Sequence, residues 1–317
     1  MLIFNDKKFI QANFEDEDEL ERIVLENYEY LFGPGSFYLP KKLIKTRDGI
    51  GTIPDGYAID LNARRWFIVE VELGRHNVWN HIAPQISKQI IAAQQELSRK
   101  LLVEIAVNQY KEDDSIKDIF SDLNILELDV RKVLSEILET TPLIGLPIDA
   151  ISSDLKDWAR TLKNDVKLWT VRKYVEFGDP KNIIYEFPEE HKPVLDTQEE
   201  KGIDNIGQDK TSIATYDVSI TDLINADCLH VGDKILMSYK PRNGIQRNYD
   251  GTIEEDGSIS VLGKKFSSLS YAALFGIQDA GSERKTVNGW TSWRTPQGVL
   301  LSELREKYLE NMKPENR

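Results

Sequence analysis

The stretch Trp66-Phe67-Ile68-Val69-Glu70-Val71-Glu72-Leu73 constrains this chain more than any other. It is the apolar run of a buried β-strand, broken only by two glutamates. Side chains alternate across a strand, so Glu70 and Glu72 share a face. Carboxylates on a buried face repel one another and cost free energy to ionise. A fold that keeps both must supply a cation there or leave that face wet. The residues upstream favour the cation. Asp55 follows Pro54, Asp55-Gly56 turns into an expected strand at 57–61, and residues 62–65 turn again. An antiparallel hairpin of this kind brings Asp55 beside the Glu70–Glu72 end. Mg²⁺ prefers a few carboxylates together with several waters. Such a site can activate a water and stabilise the charge of a phosphodiester under attack. The alternative is that the glutamates line the solvated face of a half-exposed sheet.

At 317 residues the chain is long for one ordinary domain and comfortable for two. An opening helix carries Leu20, Ile23, Val24 and Leu31 at helical spacing and stops at Gly33-Pro34-Gly35. After the hairpin, the pattern predicts a helix over about 83–100 and a buried strand over 101–107. Helices over 126–139 and 151–164 follow, then strands over 166–175 and 183–187. This order implies an α/β domain at 1–190, a mixed sheet flanked by helices. Residues 191–213 are polar and aperiodic and read as a linker. Residues 214–317 predict a small α+β domain. It has a short helix over 218–226 and strands over 233–239, 249–254 and 258–261, with Asp256-Gly257 as a hairpin turn. A helix over 268–275, a strand over 289–294 and a closing amphipathic helix over 299–312 complete it.

Composition removes several classes. The single cysteine, Cys228, excludes an internal disulfide and a cysteine-based zinc cluster. No apolar run approaches the roughly 18 residues that span a bilayer. The first residues lack the apolar core of a signal peptide. A soluble, cytoplasmic protein is expected. The net charge of −13 argues against indiscriminate nucleic-acid binding, because phosphate contacts need lysine and arginine. That charge is uneven: 24 basic and 34 acidic residues lie in 1–190, against 13 and 14 in 214–317. A local basic patch on the second domain stays open. Other motifs fail. The Gly257 to Lys265 stretch is one residue too long for a phosphate loop and has no Ser or Thr after the lysine. His76 and His81 lack a downstream partner and read as helix-entry or surface residues, while His191 and His230 are too scattered for zinc. No nucleophile-elbow sequence supports Ser/His/Asp catalysis.

Ile53-Pro54-Asp55, then about fifteen residues, then Glu70-Val71-Glu72 on an apolar strand, resembles the PD-(D/E)xK nuclease superfamily. Gln85-Ile86-Ser87-Lys88-Gln89-Ile90 resembles the glutamine-bearing helix that follows the catalytic strand in many members. The opening acidic helix ending in Leu31-Phe32-Gly33 fits as well. The resemblance covers roughly 1–110 well and the rest of 1–190 loosely. It implies a restriction-endonuclease-like fold in which Asp55 and Glu70 ligate Mg²⁺ or Mn²⁺. Glu72 would be a further ligand or the base that positions the attacking water. Gln85 and Lys88 would orient water or the scissile phosphate. Glu17 on the opening helix would close the metal site, with Glu21 as its rival. One residue departs from the pattern: Glu72 stands where the signature has lysine. Some members with glutamate there cut, others with a broken signature do not, and Lys88 is the candidate for a relocated ammonium.

Further landmarks run through 216–311. They are Ile220-Thr221-Asp222-Leu223-Ile224, Val231-Gly232-Asp233, Gly251-Thr252-Ile253, Asp256-Gly257-Ser258-Ile259, Phe266-Ser267-Ser268-Leu269-Ser270-Tyr271-Ala272-Ala273, Asn288-Gly289-Trp290-Thr291-Ser292-Trp293, and a close from Leu300 to Arg305. In this order they resemble the RAMA domain, a module associated with restriction endonucleases and adenine methylases. The resemblance implies DNA recognition, with modified bases among the candidate targets. Ser268 and Ser270 at a helix mouth can hold a phosphate. Lys264, Lys265, Arg284 and Lys285 can add charge ahead of Asn288, and Trp290 and Trp293 can offer a stacking face. The bland alternatives are core tryptophans, capping serines and solvated lysines.

The sequence therefore predicts a Mg²⁺- or Mn²⁺-dependent DNA endonuclease of restriction or phage-defence type. It would be a hydrolase of phosphodiester bonds whose C-terminal domain selects the DNA. Two rivals stand beside it: a nuclease fold that binds DNA without cutting, and an adaptor within a defence complex. DNA is the expected partner, no membrane is, and a homodimer is a candidate assembly.

Overall fold

The computed structural model describes residues 1–187, 218–241, 244–282 and 284–312. These fall into two compact units, one from 1–187 and one from 218–312. The linker expected over 191–213 lies outside the described residues. Among the described residues, no helix is long and apolar enough to cross a membrane.

The first unit opens with β1 (Leu2–Phe4), β2 (Lys7–Ala12), α1 (Glu17–Glu26), α2 (Glu29–Phe32), β3 (Ser36–Leu39), β4 (Ile44–Lys45) and β5 (Gly51–Thr52). The hairpin β6 (Gly56–Asp60) and β7 (Arg65–Val69) follows, then α3 (Ala83–Ala93), α4 (Glu96–Glu112), α5 (Asp114–Asp122) and α6 (Val130–Glu139). It closes with β8 (Leu143–Ile148), α7 (Ser153–Ala159), β9 (Val166–Thr170), β10 (Arg172–Glu176) and β11 (Asp179–Glu186). Asp16 caps α1 by accepting from Glu19 N–H. Gly33, at φ 95°, ends α2 in a conformation that disfavours other side chains.

The central sheet has the order β3-β6-β7-β8-β9. Its first three strands are antiparallel neighbours, and β7, β8 and β9 are parallel. A parallel step needs a long crossover, and α3 to α6 supply it between β7 and β8. One face of the sheet, with Tyr57, Ile59, Trp66, Ile68, Ile144 and Leu146, packs in one core with Ile86, Leu102 and Leu134 from the crossover helices. The other face, with Ala58, Phe67, Val69 and Val71, packs on Leu20 and Val24 of α1 and on Leu31 and Phe32 of α2. The unit is thus a mixed sheet between helical layers.

The expected strand over 101–107 is wrong. Those residues lie inside α4, where Ser98, Leu102, Val103, Ala106 and Val107 are buried. That spacing is helical, and a short apolar run does not by itself tell a strand from a buried helix. The single strand expected over 166–175 divides at Val171. β9 stays in the central sheet, whereas β10 enters a second antiparallel sheet of order β1-β2-β10-β11. That second sheet grips the opening helix. Lys173 Nζ of β10 donates to Glu19 Oε1 of α1 at 2.6 Å, and the Tyr185 hydroxyl of β11 reaches the same oxygen at 3.4 Å.

The second unit contains α8 (Ile220–Asn225), β12 (Lys234–Tyr239), β13 (Arg247–Ile253), β14 (Ile259–Val261), β15 (Lys264–Phe266), α9 (Leu269–Asp279), α10 (Gly289–Ser292) and α11 (Leu301–Met312). Ser219 and Asp222 form a reciprocal capping box at the start of α8. The four strands are a sequential antiparallel meander. Alternate residues Ile235 and Met237 of β12, and Tyr249 and Ile253 of β13, are buried against α9, whose inner face is Leu269, Ala272, Ala273, Gly276 and Ile277. The expected strand over 289–294 is replaced by the helical turn α10. Asn288 accepts from Trp290 N–H and so starts a helix. The chain extends only at Arg294, which bridges to Leu236 and Leu300.

Candidate functional site

The β6–β7 hairpin places Gly56 opposite Val69. Asp55 therefore faces the chain just past β7, and Val71 N–H donates to its Oδ2 at 2.9 Å. Beyond Val69 the backbone stays extended, because Glu70 N–H donates to Gly145 O at 3.0 Å and Glu72 N–H to Pro147 O at 3.1 Å on β8. The period-2 geometry thus continues through both glutamates. Glu70 is 1% exposed and Glu72 0%.

Each carboxylate has its own set of neighbours. Gln85 and Gln89, one turn apart on α3, donate through Nε2 to Glu70 Oε1 and Oε2, the second at 2.6 Å. Burial, and next the charge of Asp55, push the Glu70 carboxyl up to about 9, against the opposing hydrogen bond from Gln89. Glu72 Oε2 meets His76 Nδ1 at 2.7 Å, and His81 Nε2 lies 3.6 Å from Glu72 Oε1. That Oε1 is buried and has no hydrogen-bond partner. Burial raises the Glu72 carboxyl above its ordinary range, the hydrogen bond from His76 opposes this, and the charge of Glu17 adds to the rise.

The histidines reach Glu72 because of the chain between them. His76 N–H closes a turn on Leu73 O at 2.8 Å. Gly74 N–H donates to Asp149 Oδ1 at 2.6 Å. A Cβ on Gly74 would sit 2.5 Å from the Ala150 carbonyl oxygen, so only glycine lets the turn lie this close. Asn77 then caps a π-helical turn at Val78–Ile82 that carries His81. Such turns recur at functional sites.

The opening helix adds two more acids. Glu17 feels Asp55, His76, His81 and Lys41 electrostatically, with burial as the first cause of its raised carboxyl. Glu21 accepts from Lys41 Nζ at 2.6 Å, and the same ammonium lies 3.0 Å from Asp55 Oδ1. Burial works against the Lys41 charge, yet its bonds to Glu21 and Asp55 outweigh that and hold the ammonium well above the ordinary lysine range. Glu17 and Glu21 thus both contribute, in different ways.

Of the residues read from the sequence, Asp55, Glu70, Glu72, Gln85 and Glu17 gather at the amino end of β6 and just past β7. Lys88 does not join them. It is exposed on α3 and makes no hydrogen bond or ion pair with the described residues. Lys41, His76, His81 and Gln89 were missed. For the histidines a signal existed, since they follow Glu72 by four and nine residues. Lys41 left none, because only the folded chain brings it to Asp55.

Raised carboxyls make this unit sensitive to alkali. Glu17, Glu70 and Glu72 hold protons more tightly folded than unfolded, so the folded state binds more protons above pH about 4.5, for Glu70 up to about 9. Their stabilisation is complete below that window and is lost as pH rises through it. The melting temperature in EDTA is expected to fall with rising pH across this range. A melting temperature that climbs with pH in EDTA would contradict the assigned carboxyl environments.

In the second unit the expected DNA contacts are mostly occupied at home. Lys264 Nζ lies 4.5 Å from the centroid of the Phe275 ring, and Lys265 pairs with Asp256 at 2.8 Å. Ser268 accepts from Tyr271 N–H and caps α9, while Ser270 accepts from Gly289 N–H. Asn288 caps α10. Arg305 stacks on the partly buried Trp290 ring at 5.2 Å. The stacking role expected of Trp293 is corrected: it is 0% exposed, and its Nε1–H donates to Leu269 O at 3.0 Å. No face of its ring is open to a base.

Residues 202–314 match the family model described as Restriction Enzyme Adenine Methylase Associated, or RAMA. The match takes in every landmark read from 216–311 and links the chain to restriction–modification systems. Comparison with curated proteins gives no match.

Proposed function

We propose that the first unit is a Mg²⁺- or Mn²⁺-dependent endodeoxyribonuclease of PD-(D/E)xK type, and that the RAMA domain selects its DNA, with modified bases among the targets. The protein would act in the cytoplasm, in restriction or phage defence, with two copies pairing where both strands are cut. One observation carries this reading: the Val71 N–H bond to Asp55 fixes that carboxylate beside the chain segment that bears Glu70 and Glu72.

The group fits a dication. Burial raises three of its carboxyls, an oxygen of the fully buried Glu72 lacks a partner, and the Lys41 ammonium already stands against Asp55. Asp55 and Glu70 would hold the ion, with Glu72 and Glu17 completing its surroundings. The ion would supply Lewis-acid activation of water and offset charge on the phosphate. The protein's own groups do the rest. Gln85 and Gln89 orient Glu70 through both its oxygens. Glu72 Oε1 is the unpartnered atom that can accept a proton from the attacking water. Lys41, rather than Lys88, brings the positive charge that the signature's third position lacks.

The test is a cleavage assay with Mg²⁺ or Mn²⁺ on plasmids and phage genomes of differing methylation. Nicking or cutting of at least one substrate is expected. Lys41→Met should slow it by about tenfold or more, as loss of one charge-stabilising contact does, while ion-induced thermal stabilisation persists. Equal rates for Lys41→Met and the parent would remove Lys41 from the mechanism. A second reading, DNA binding without cutting, is favoured by Glu72 itself, whose carboxylate stands in place of a lysine and is tied to His76. A mobility shift with no cleavage on any substrate would select it.

A further inference from the structure

Glu72, His76 and His81 offer three donor atoms that all lie within 4.8 Å of one another. We propose that they form a site for an imidazole-preferring transition-metal dication, of which Zn²⁺ is the type. It borders the group at Asp55 and Glu70 and shares Glu72 with it but differs in ligand chemistry, and an ion bound there occupies the Glu72 oxygen that hydrolysis would otherwise use as a base. Two nitrogen donors and one carboxylate suit zinc-like ions, whereas Mg²⁺ takes oxygen ligands. Each histidine stands near one oxygen of Glu72. Donors on one tetrahedral ion at ~2.0–2.1 Å stand about 3.3 Å apart. Here His76 Nδ1 to Glu72 Oε2 is 2.7 Å and His81 Nε2 to Glu72 Oε1 is 3.6 Å.

An independent observation points the same way. Glu72 is 0% exposed, yet its Oε1, the oxygen nearer His81, has no hydrogen-bond partner. A buried carboxylate oxygen without a partner is costly and is where an ion is expected. Glu17 interacts electrostatically with Glu72 and with both histidines. The group therefore carries two acidic side chains, whose combined charge one dication offsets. The histidines are partly exposed, with side chains at 26% and 49%, so an ion can enter and keep water at its open position. The backbone is fixed on both sides by the Gly74 turn and the Val78–Ile82 turn.

The site stands whether or not the protein cleaves DNA. Its test is calorimetric titration of the full chain with Zn²⁺, and visible absorption on titration with Co²⁺. Saturable one-to-one Zn²⁺ binding and Co²⁺ bands of a nitrogen-ligated site are expected. His81→Ala and His76→Ala should each weaken binding by about tenfold or more, and the double variant should abolish both signals. Asp55→Asn should leave Zn²⁺ binding intact, which separates this site from the hydrolytic reading. Circular dichroism of the variants checks that they fold. Zn²⁺ affinity unchanged in a folded double-histidine variant, or no Co²⁺ bands in the parent chain, would overturn the proposal. In that outcome the histidines serve only to neutralise Glu72.

Discussion

Asp55→Asn is expected to abolish DNA cleavage while leaving the first unit folded. The substitution is isosteric, and an amide oxygen at that position can still accept the Val71 N–H bond that joins the two strands. Lys41 keeps Glu21 as its partner. What disappears is one negative charge, and with it, on the proposed reading, the hold on a dication worth several kcal/mol of transition-state stabilisation. That corresponds to a rate loss of about a thousandfold or more. Glu70→Gln should act alike, since Gln85 and Gln89 would then face a neutral group. Asp55→Asn should also lower the Glu70 carboxyl, because the Asp55 charge is the second cause of its rise. Loss of cutting, retained melting and a Glu70 titration at lower pH together would identify Asp55 as part of the ion-holding group. Cleavage that survives both substitutions would remove the assignment.

Trp293→Ala is expected to have the largest effect on stability. The indole is fully enclosed in the core of the second unit and donates to Leu269 O, tying the segment after α10 to the start of α9. Truncating such a side chain costs about 3–5 kcal/mol. In a domain of this size that lowers the melting temperature by roughly 12 °C or more. Trp290→Ala should cost less, because that ring is only partly covered and stacks on Arg305. Differential scanning calorimetry of the full chain gives the comparison. If Trp293→Ala melted like the parent yet lost DNA affinity, the ring would have to be a contact after all.

The central hairpin and its acids were legible because they obey local rules. Alternation placed Glu70 and Glu72 on one face, and the Asp55-Gly56 turn set the register that carries Asp55 to Val71. The second unit was read well where hairpin glycines and capping serines punctuate it. Errors arose where local pattern and tertiary context disagree. Residues 101–107 have the composition of a strand, but their neighbours on both sides continue the helix α4. β8 escaped notice because Gly145 and Pro147 weaken a strand signal, and its partners β7 and β9 are distant in sequence. Lys88 lies on a helix that the sequence pattern marks, whereas Lys41 reaches Asp55 from a loop with no pattern of its own. His76 and His81 have no histidine or cysteine partner in the sequence, and their partner in the fold is Glu72, four and nine residues upstream.

The grip of β10 and β11 on Glu19 bears on how this protein can be shortened. The acidic helix that supplies Glu17 and Glu21 is clamped through Lys173 and Tyr185, more than 150 positions downstream. A fragment trimmed to the first 110 or so residues would keep every acid of the centre and lose the clamp that aims two of them. Any excised first unit worth assaying for the proposed cleavage must therefore extend at least through Glu186. An inactive shorter truncation says nothing about the chemistry of the acids it retains.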